Sequence, residues 1–392
     1  MERKTQTVLP IGPFFATLEE PVHFRLYVDG EKVTGADVII SYNHRGIEKL
    51  AESRTYHQVI YLTERICGIC NLVHPTAYIQ AAEEIAKVEL PDRARYLRTI
   101  IQELERIHSH LLWIGLAFHF MALDTIYMHV WKDREIVMSL LERITGNRVN
   151  KSYLTIGGVR RDIKKDEIPK ITEILIILEA AVKKYVKIAL EDRTIKARLQ
   201  GVGILTPQKA REFSVTGPTA RGSGLTIDVR KDDPYAAYKD VSFDVVTQSE
   251  GDVWSKAVVR LFELVQSVII IRQCIDQMPS GDIAVPVGEI PPGEGIGRAE
   301  APRGEVFHYL KSNGSNIPER LKIRAPSYVN IPSTLAMLPG NLIADAPLII
   351  ASVDPCISCT CRVVDLKSNN QRIFSMEEFA KFSQKRKRNL IL

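Results

Sequence analysis

Apolar positions along this chain follow two periods. Leu97, Ile101, Leu104, Ile107, Leu111 and Ile114 recur at steps of three and four. This predicts an amphipathic helix opening after Pro91. The same period predicts a helix from Pro169 through Ile171, Ile174, Leu178, Val182, Tyr185 and Ala189, and another from near Asp252 to Met278-Pro279. Phe24, Leu26 and Val28 alternate with polar residues; Asp29-Gly30 follows, then a second run through Val38 and Ile40. That pattern predicts a β-hairpin with a tight turn. Tyr42 to Lys49 is polar and charged and reads as a loop entering a helix. Leu348, Ile349, Ile350 and Val353 predict a short buried strand. Thr216 to Gly224 is too rich in glycine for a regular element. The fold class these patterns predict is α+β and mostly helical. It is a single body, with a central helix bundle and a small peripheral β-hairpin and sheet.

Leu111 to Trp131 changes the picture, because it contains no Lys, Arg or Glu and is long enough to cross a bilayer. It also holds His119, Asp124 and His129, and an aspartate at mid-membrane is costly. The amphipathic pattern leads straight into it, so the stretch reads as a buried core helix and membrane contact is left to partners. Gly293-Glu294-Gly295-Ile296-Gly297-Arg298 has the look of a dinucleotide fingerprint. No clear strand precedes it and no helix follows before Pro302, which argues against a Rossmann unit. Residues 216–224 lack the Gly-Lys-Ser/Thr of a phosphate loop. No repeat, linker or low-complexity segment divides the chain.

Composition adds little: 392 residues, 45% hydrophobic and 25% charged, with a formal net charge of +5. This is an ordinary soluble balance and too small a charge to argue for nucleic acid. Lys385-Arg386-Lys387-Arg388 reads as a solvated tail, and no secretory h-region opens the chain. The informative chemistry is cysteine. Six are present, four of them as Cys67-Gly68-Ile69-Cys70 and Cys356-Ile357-Ser358-Cys359. Each pair places two thiolates within reach of one metal, and together they offer four sulfur ligands. Almost the whole fold lies between them, so both chain ends converge on the site. A structural four-cysteine zinc site and a disulfide pairing are the other readings, the latter disfavoured by the low cysteine density. Cys274, between Ile271 and Ile275, reads as an inert buried thiol. His108 and His110 read as ordinary helix residues.

In context the motifs become specific. Glu64-Arg65-Ile66-Cys67-Gly68-Ile69-Cys70 with His74, and Asp354-Pro355-Cys356-Ile357-Ser358-Cys359, resemble the two signatures of nickel–iron hydrogenase large subunits. Glu300-Ala301-Pro302-Arg303-Gly304-Glu305 resembles a third family stretch. Residues 156–160, 217–224 and 251–255 carry the resemblance to the energy-converting, membrane-associated group. It is strongest for carbon-monoxide-induced hydrogenases. The similarity spans about Pro10 to Arg362, which defines a large-subunit domain over 1–362 and a C-terminal extension over 363–392.

The resemblance implies a nickel held by Cys67, Cys70, Cys356 and Cys359. Cys67 and Cys356 would be terminal. Cys70 and Cys359 would bridge to an iron carrying cyanide and carbon monoxide. Soft thiolates suit both metals, and their charge favours nearby cations, for which Arg303 and Arg65 are candidates. By resemblance, Arg303 hangs over the diatomic ligands, Asp354 orders it, and Pro302, Arg65 and Asp124 surround the cofactor. Cys356 takes the first proton and Glu19 relays it. A magnesium-type site sharing a residue like Glu48 is also implied. Here Arg362 stands where many hydrogenases have its histidine, which places that site in doubt. Phe15 replaces a histidine common in relatives, and Cys361 sits where an acid is usual. Residues 363–392 resemble a maturation extension removed after Arg362.

The activity so implied is reversible reduction of protons to H2. Electrons would come from ferredoxin or a carbon monoxide dehydrogenase, with ions moved by membrane partners. No ferredoxin-type four-cysteine run is present, so a small subunit with a four-iron four-sulfur cluster is an expected partner. Ferredoxin-like and integral-membrane subunits would hold the chain at the cytoplasmic face of the membrane. The alternatives are the related quinone-site subunit of complex I, which lacks the four cysteines, and a zinc-stabilised scaffold.

Overall fold

The computed structural model describes residues 7–15, 18, 20–40 and 42–360. Glu19, Cys361, Arg362 and the 363–392 extension lie outside the described residues. The chain opens with an antiparallel three-stranded sheet, β1 (Thr7–Ile11), β2 (His23–Asp29) and β3 (Lys32–Ile39). The predicted hairpin is β2–β3, closing between Asp29 and Lys32; β1 adds the further edge. Two short helices follow, α1 (Ile47–Ala51) and α2 (Tyr56–Glu64), the second opened by a Thr55/Gln58 capping box. Then come α3 (Val73–Ala86), α4 (Asp92–Phe120) and α5 (Asp124–Thr145). After the two-residue strands β4 (Leu154–Thr155) and β5 (Gly158–Val159) come α6 (Ile168–Glu191) and α7 (Arg193–Leu199). The short helices α8 (Pro207–Glu212), α9 (Gly217–Arg221) and α10 (Val229–Asp232) precede α11 (Val253–Gln277), which Asp252 caps through the Ser255 N–H at 2.7 Å. A second antiparallel sheet, β6 (Gly293–Ala301), β7 (Gly304–Ser312) and β8 (Arg320–Arg324), leads to α12 (Pro326–Met337) and α13 (Ala346–Ser352).

The bundle is built on α4. Leu97, Ile101, Leu104, Ile107, Leu111 and Ile114 are all at most 3% exposed. Burying each such side chain stabilises by about 1.5–3 kcal/mol. α5 and α11 pack along α4, and α6 closes over α11 and α5. α3 lies on the β6–β7 hairpin, and the glycine-rich run explains how. A Cβ at Gly297 would sit 1.8 Å from Ala77 O, and one at Gly295 would sit 2.3 Å from Ala81 O. The glycines let a strand lie directly against a helix backbone. The run is thus itself a strand, paired antiparallel with β7, and no dinucleotide fold is built on it.

Three expectations need correction. The buried helix expected over Leu111–Trp131 is broken at Met121–Leu123, where Ala122 has φ 61°. The first half is core, but the start of α5 is half out of it, with Met128 64% exposed. Among the described residues no helix is long and apolar enough to cross a membrane. Residues 217–221 form a helical turn despite their glycines, opened by Pro218. The expected strand at Leu348–Val353 is the helix α13, started by Pro347 after Asp345. A short, almost wholly apolar run carries no period that separates the two.

Candidate metal centre

α2 stops at Glu64, and the first cysteine pair occupies the turn before α3. The turn wraps the Cys67 sulfur, to which the N–H groups of Ile69 and Cys70 donate at 3.3 and 3.1 Å. The turn is held from behind by α4. Glu105 accepts the Leu72 and Val73 N–H groups at 2.8 and 3.2 Å, the unpaired donors at the start of α3. His108 Nε2 lies 3.3 Å from Ile69 O. Lys151 Nζ donates to Asn71 Oδ1 at 2.9 Å and lies 3.5 Å from Glu105. Burial pushes the Glu105 carboxyl up to about 7 against the pull of Lys151.

The second pair arrives from α13. Two carbonyls at its C-terminal end are taken by side chains: Trp113 Nε1 donates to Ala351 O at 2.7 Å, and Arg260 to Ser352 O at 3.0 Å. Asp354 then turns the chain at φ 51°, a left-handed conformation uncommon for a non-glycine residue. The Cys356 N–H donates to Ser327 Oγ at 2.9 Å, and Ile357–Cys359 form a 3-10 turn.

The two turns meet in a buried pocket. The sulfurs of Cys67, Cys356 and Cys359 lie within 4.8 Å of one another. Cys356 Sγ is 3.2 Å from Cys67 Sγ and 2.9 Å from Cys359 Sγ. These separations exceed a disulfide bond, and the cysteines are free, so the disulfide reading fails. The fourth sulfur, Cys70, is not in that trio and accepts from Arg303 at 3.2 Å.

Arg303 organises the roof. Its guanidinium donates to Asp354 O at 2.8 Å and Ser109 Oγ at 3.3 Å, and pairs with Asp354 Oδ1 at 2.7 Å. The β6–β7 turn that presents it is pinned: Arg106 donates to Glu300 O and Ala301 O, and Asn330 to Arg303 O at 3.0 Å. Burial works against the Arg303 charge, but Asp354 and the sulfurs of Cys70, Cys356 and Cys67 outweigh it and hold it protonated. Four adjacent sulfurs cannot all be thiolates without cations to balance them. Hydrogen bonds from Cys356, Cys359 and Cys70 hold the Cys67 thiol far below its usual range. Their own donation, to Cys67 and to Cys356 respectively, together with burial, pushes Cys70 and Cys359 up. Asp354 Oδ2 is buried without a hydrogen-bond partner. A soft-donor, charge-rich pocket with one fixed guanidinium fits a thiolate-bound nickel–iron group held by these four cysteines.

Other side chains complete the enclosure. His74 Nε2 lies 3.6 Å from Cys359 Sγ, and its Nδ1 lies 3.2 Å from His308 Nε2. Burial lowers His74 to about 4, so it is neutral near pH 7. Arg45 clamps both cysteine turns, donating to Arg65 O at 2.7 Å, Ile66 O at 2.8 Å and Ser358 O at 3.0 Å. Glu20 accepts the Ser358 N–H at 2.9 Å.

Of the other expected site residues, Pro302 is buried in the β6–β7 turn. Arg65 is not placed on the sulfurs: its side chain is 50% exposed and turns to Tyr61 O and Glu64. Asp124 lies at the exposed start of α5, 67% accessible, with its carboxylate on His119. The break at Met121–Leu123 takes it out of the core, and the buried carboxylate behind the first cysteine turn is Glu105. Glu48 is engaged by Lys322 at 3.0 Å. Arg45, Glu105, Lys151 and His308 were missed. The alternation of β7, in which His308 is a buried position, was the one available signal for any of them.

A buried pocket of four cysteines closed by two distant turns, on a bundle flanked by small sheets, defines the class. The chain belongs to the family that unites nickel-dependent hydrogenase large subunits with the 49-kDa subunit of respiratory-chain NADH dehydrogenase. The family model for "Nickel-dependent hydrogenase" matches residues 45–165. That for "Respiratory-chain NADH dehydrogenase, 49 Kd subunit" matches 121–290 and 285–362. Among individual relatives, the chain is 43% identical over 356 residues to the carbon monoxide-induced hydrogenase of Rhodospirillum rubrum, covering 90% of this chain and 99% of that one. It is 40% identical to the membrane-bound hydrogenase subunit alpha of Pyrococcus furiosus, covering 96% and 92%. A solved chain from the membrane-bound sulfane sulfur reductase, an archaeal respiratory membrane complex, superposes with a TM-score of 0.87 at 34% identity, covering 92% of this chain and all of that one.

Proposed function

We propose that this chain is the catalytic large subunit of an energy-converting nickel–iron hydrogenase that reversibly reduces protons to H2. The observation that carries the reading is the convergence of Cys67, Cys356 and Cys359 within 4.8 Å, with Cys70 beside them under Arg303. Cys67, Cys70, Cys356 and Cys359 would hold a nickel–iron group whose iron carries cyanide and carbon monoxide. When bound, that group supplies the heterolytic cleavage and formation of H2. The protein supplies the surroundings. Arg303 fixes a positive charge over the sulfurs, Asp354 orients it, and the buried shell excludes water. Cys356 Sγ accepts a proton, and Glu19 passes it on. His74, neutral, sits behind Cys359 as an oriented imidazole.

Electrons would reach the site through a small subunit carrying a four-iron four-sulfur cluster, supplied by ferredoxin or a carbon monoxide dehydrogenase. Integral-membrane partners would move ions and hold the chain peripherally at the cytoplasmic face. The test is the infrared spectrum of the complex from its native host. Bands of iron-bound carbon monoxide and cyanide, lost in Cys70→Ser, are expected. A blank spectrum in mature complex rejects the reading in favour of a structural metal or a subunit of the complex I kind. Glu19→Gln is expected to keep those bands and lose turnover. Near-normal H2 evolution in that variant removes Glu19 from the path.

A further inference from the structure

The magnesium-type site implied by the hydrogenase resemblance does not fit the described residues around Glu48. Glu48 lies in α1, and both of its carboxylate oxygens are in use. Oε2 holds Lys322 Nζ at 3.0 Å, with Arg320 Nη2 at 4.0 Å. Oε1 accepts the Ile323 N–H at 2.9 Å. Between Glu48 and Cys359 is a cavity of about 20 Å³, room for one water. Ile47, Ile66, Ile323, Ala325 and Tyr328 line the rest of it. Among the described residues that line it, Glu48 and Tyr328 are the side chains that carry oxygen. Magnesium demands a near-ideal octahedron of oxygens at about 2.0–2.1 Å. It would have to displace a backbone N–H and bind beside an ammonium and a guanidinium.

We propose that Lys322 is a built-in cation. Its ammonium takes the charge-balancing and bridging place of a divalent ion, so this protein ties α1 to β8 without magnesium. The tie has three parts: Glu48 to Lys322, Glu48 to the Ile323 N–H, and Glu52 to Arg320 at 2.5 Å. Its use lies one residue before the α1 N-cap, Gly46. There Arg45 holds Arg65 O, Ile66 O and Ser358 O, one carbonyl set from each cysteine turn. Fixing α1 on β8 therefore fixes the clamp on both halves of the metal pocket. This tie is independent of which metal the cysteines carry.

The test uses the intact complex. After dialysis against EDTA, wild type is expected to contain no magnesium that a Glu48→Gln complex lacks, and its thermal midpoint is expected to stay where it was. Lys322→Met is expected to lower the midpoint and to speed hydrogen exchange in the peptides spanning Arg65–Ile66 and Ser358, with Lys322→Arg close to wild type. Magnesium retained by wild type and lost in Glu48→Gln overturns the proposal, and so does unchanged exchange at both clamp peptides in Lys322→Met. Should the Lys322→Met complex fail to assemble, the wild-type and Glu48→Gln metal contents decide alone.

Discussion

Arg303 and Asp354 form a buried pair whose partners cannot be removed singly without leaving a charge in the core. Breaking such a pair costs about 3–5 kcal/mol, whereas replacing both partners by apolar residues is often close to neutral. Arg303→Met and Asp354→Leu are each expected to destabilise strongly, and the double variant to lose less than the sum of the two. Denaturant titration of the three proteins checks this, and additive losses reject the coupling. His110 sets an acid limit. Its Nε2 donates to Glu263 at 2.7 Å while Nδ1 is buried without a partner. Burial lowers it to about 4 against the pull of Glu263, with Arg106 and Arg260 reinforcing the fall. The unfolded chain takes this proton near pH 6.5, whereas the folded one resists it down to about 4. The contribution is therefore complete above 6.5 and lost as pH falls toward 4, on the order of 3 kcal/mol. His110→Gln is expected to flatten that limb of the stability–pH curve. At this scale the sequence was legible where chemistry repeats locally. The cysteine pairs were visible in their spacing, and Arg303 and Asp354 in the stretches around them. Arg45, Glu105 and Lys151 were not, because each acts on backbone or side-chain groups brought near only by folding.

Among elements, α3 lies on β6 backbone to backbone. Gly297→Val is expected to cost about 1–3 kcal/mol or more by overpacking, because its Cβ would lie 1.8 Å from a helix carbonyl. Gly293→Ala meets only the Ile85 side chain, at 3.3 Å, and serves as the tolerated control. Thermal melts of the two variants give the comparison, and equal midpoints would reject the packing argument. α3 begins immediately after the first cysteine turn, so the same variant is expected to lower metal content as well. The long helices were readable because twenty or more residues average out local ambiguity. α13 was misread as a strand because its seven residues are nearly all apolar. The break between α4 and α5 was missed because an apolar run conceals a single left-handed residue.

At the scale of the whole molecule, the extension after Arg362 is a question of maturation. We expect the nickel-bearing enzyme to lack residues 363–392. Intact-mass measurement settles the point, since a full-length chain with bound nickel rules trimming out. The overall class was legible, one helical body with small sheets and both cysteine pairs meeting, because the core pattern runs unbroken between the pairs. The distance between those pairs along the chain also has a consequence in time. During synthesis, Cys67 and Cys70 leave the ribosome long before Cys356 and Cys359 exist, and Arg45 lacks the Ser358 carbonyl that joins its grip to the second turn. A nascent or prematurely ended chain therefore offers a two-sulfur site with weak hold on a metal. On the function proposed above, tight loading would report that translation and folding have both finished.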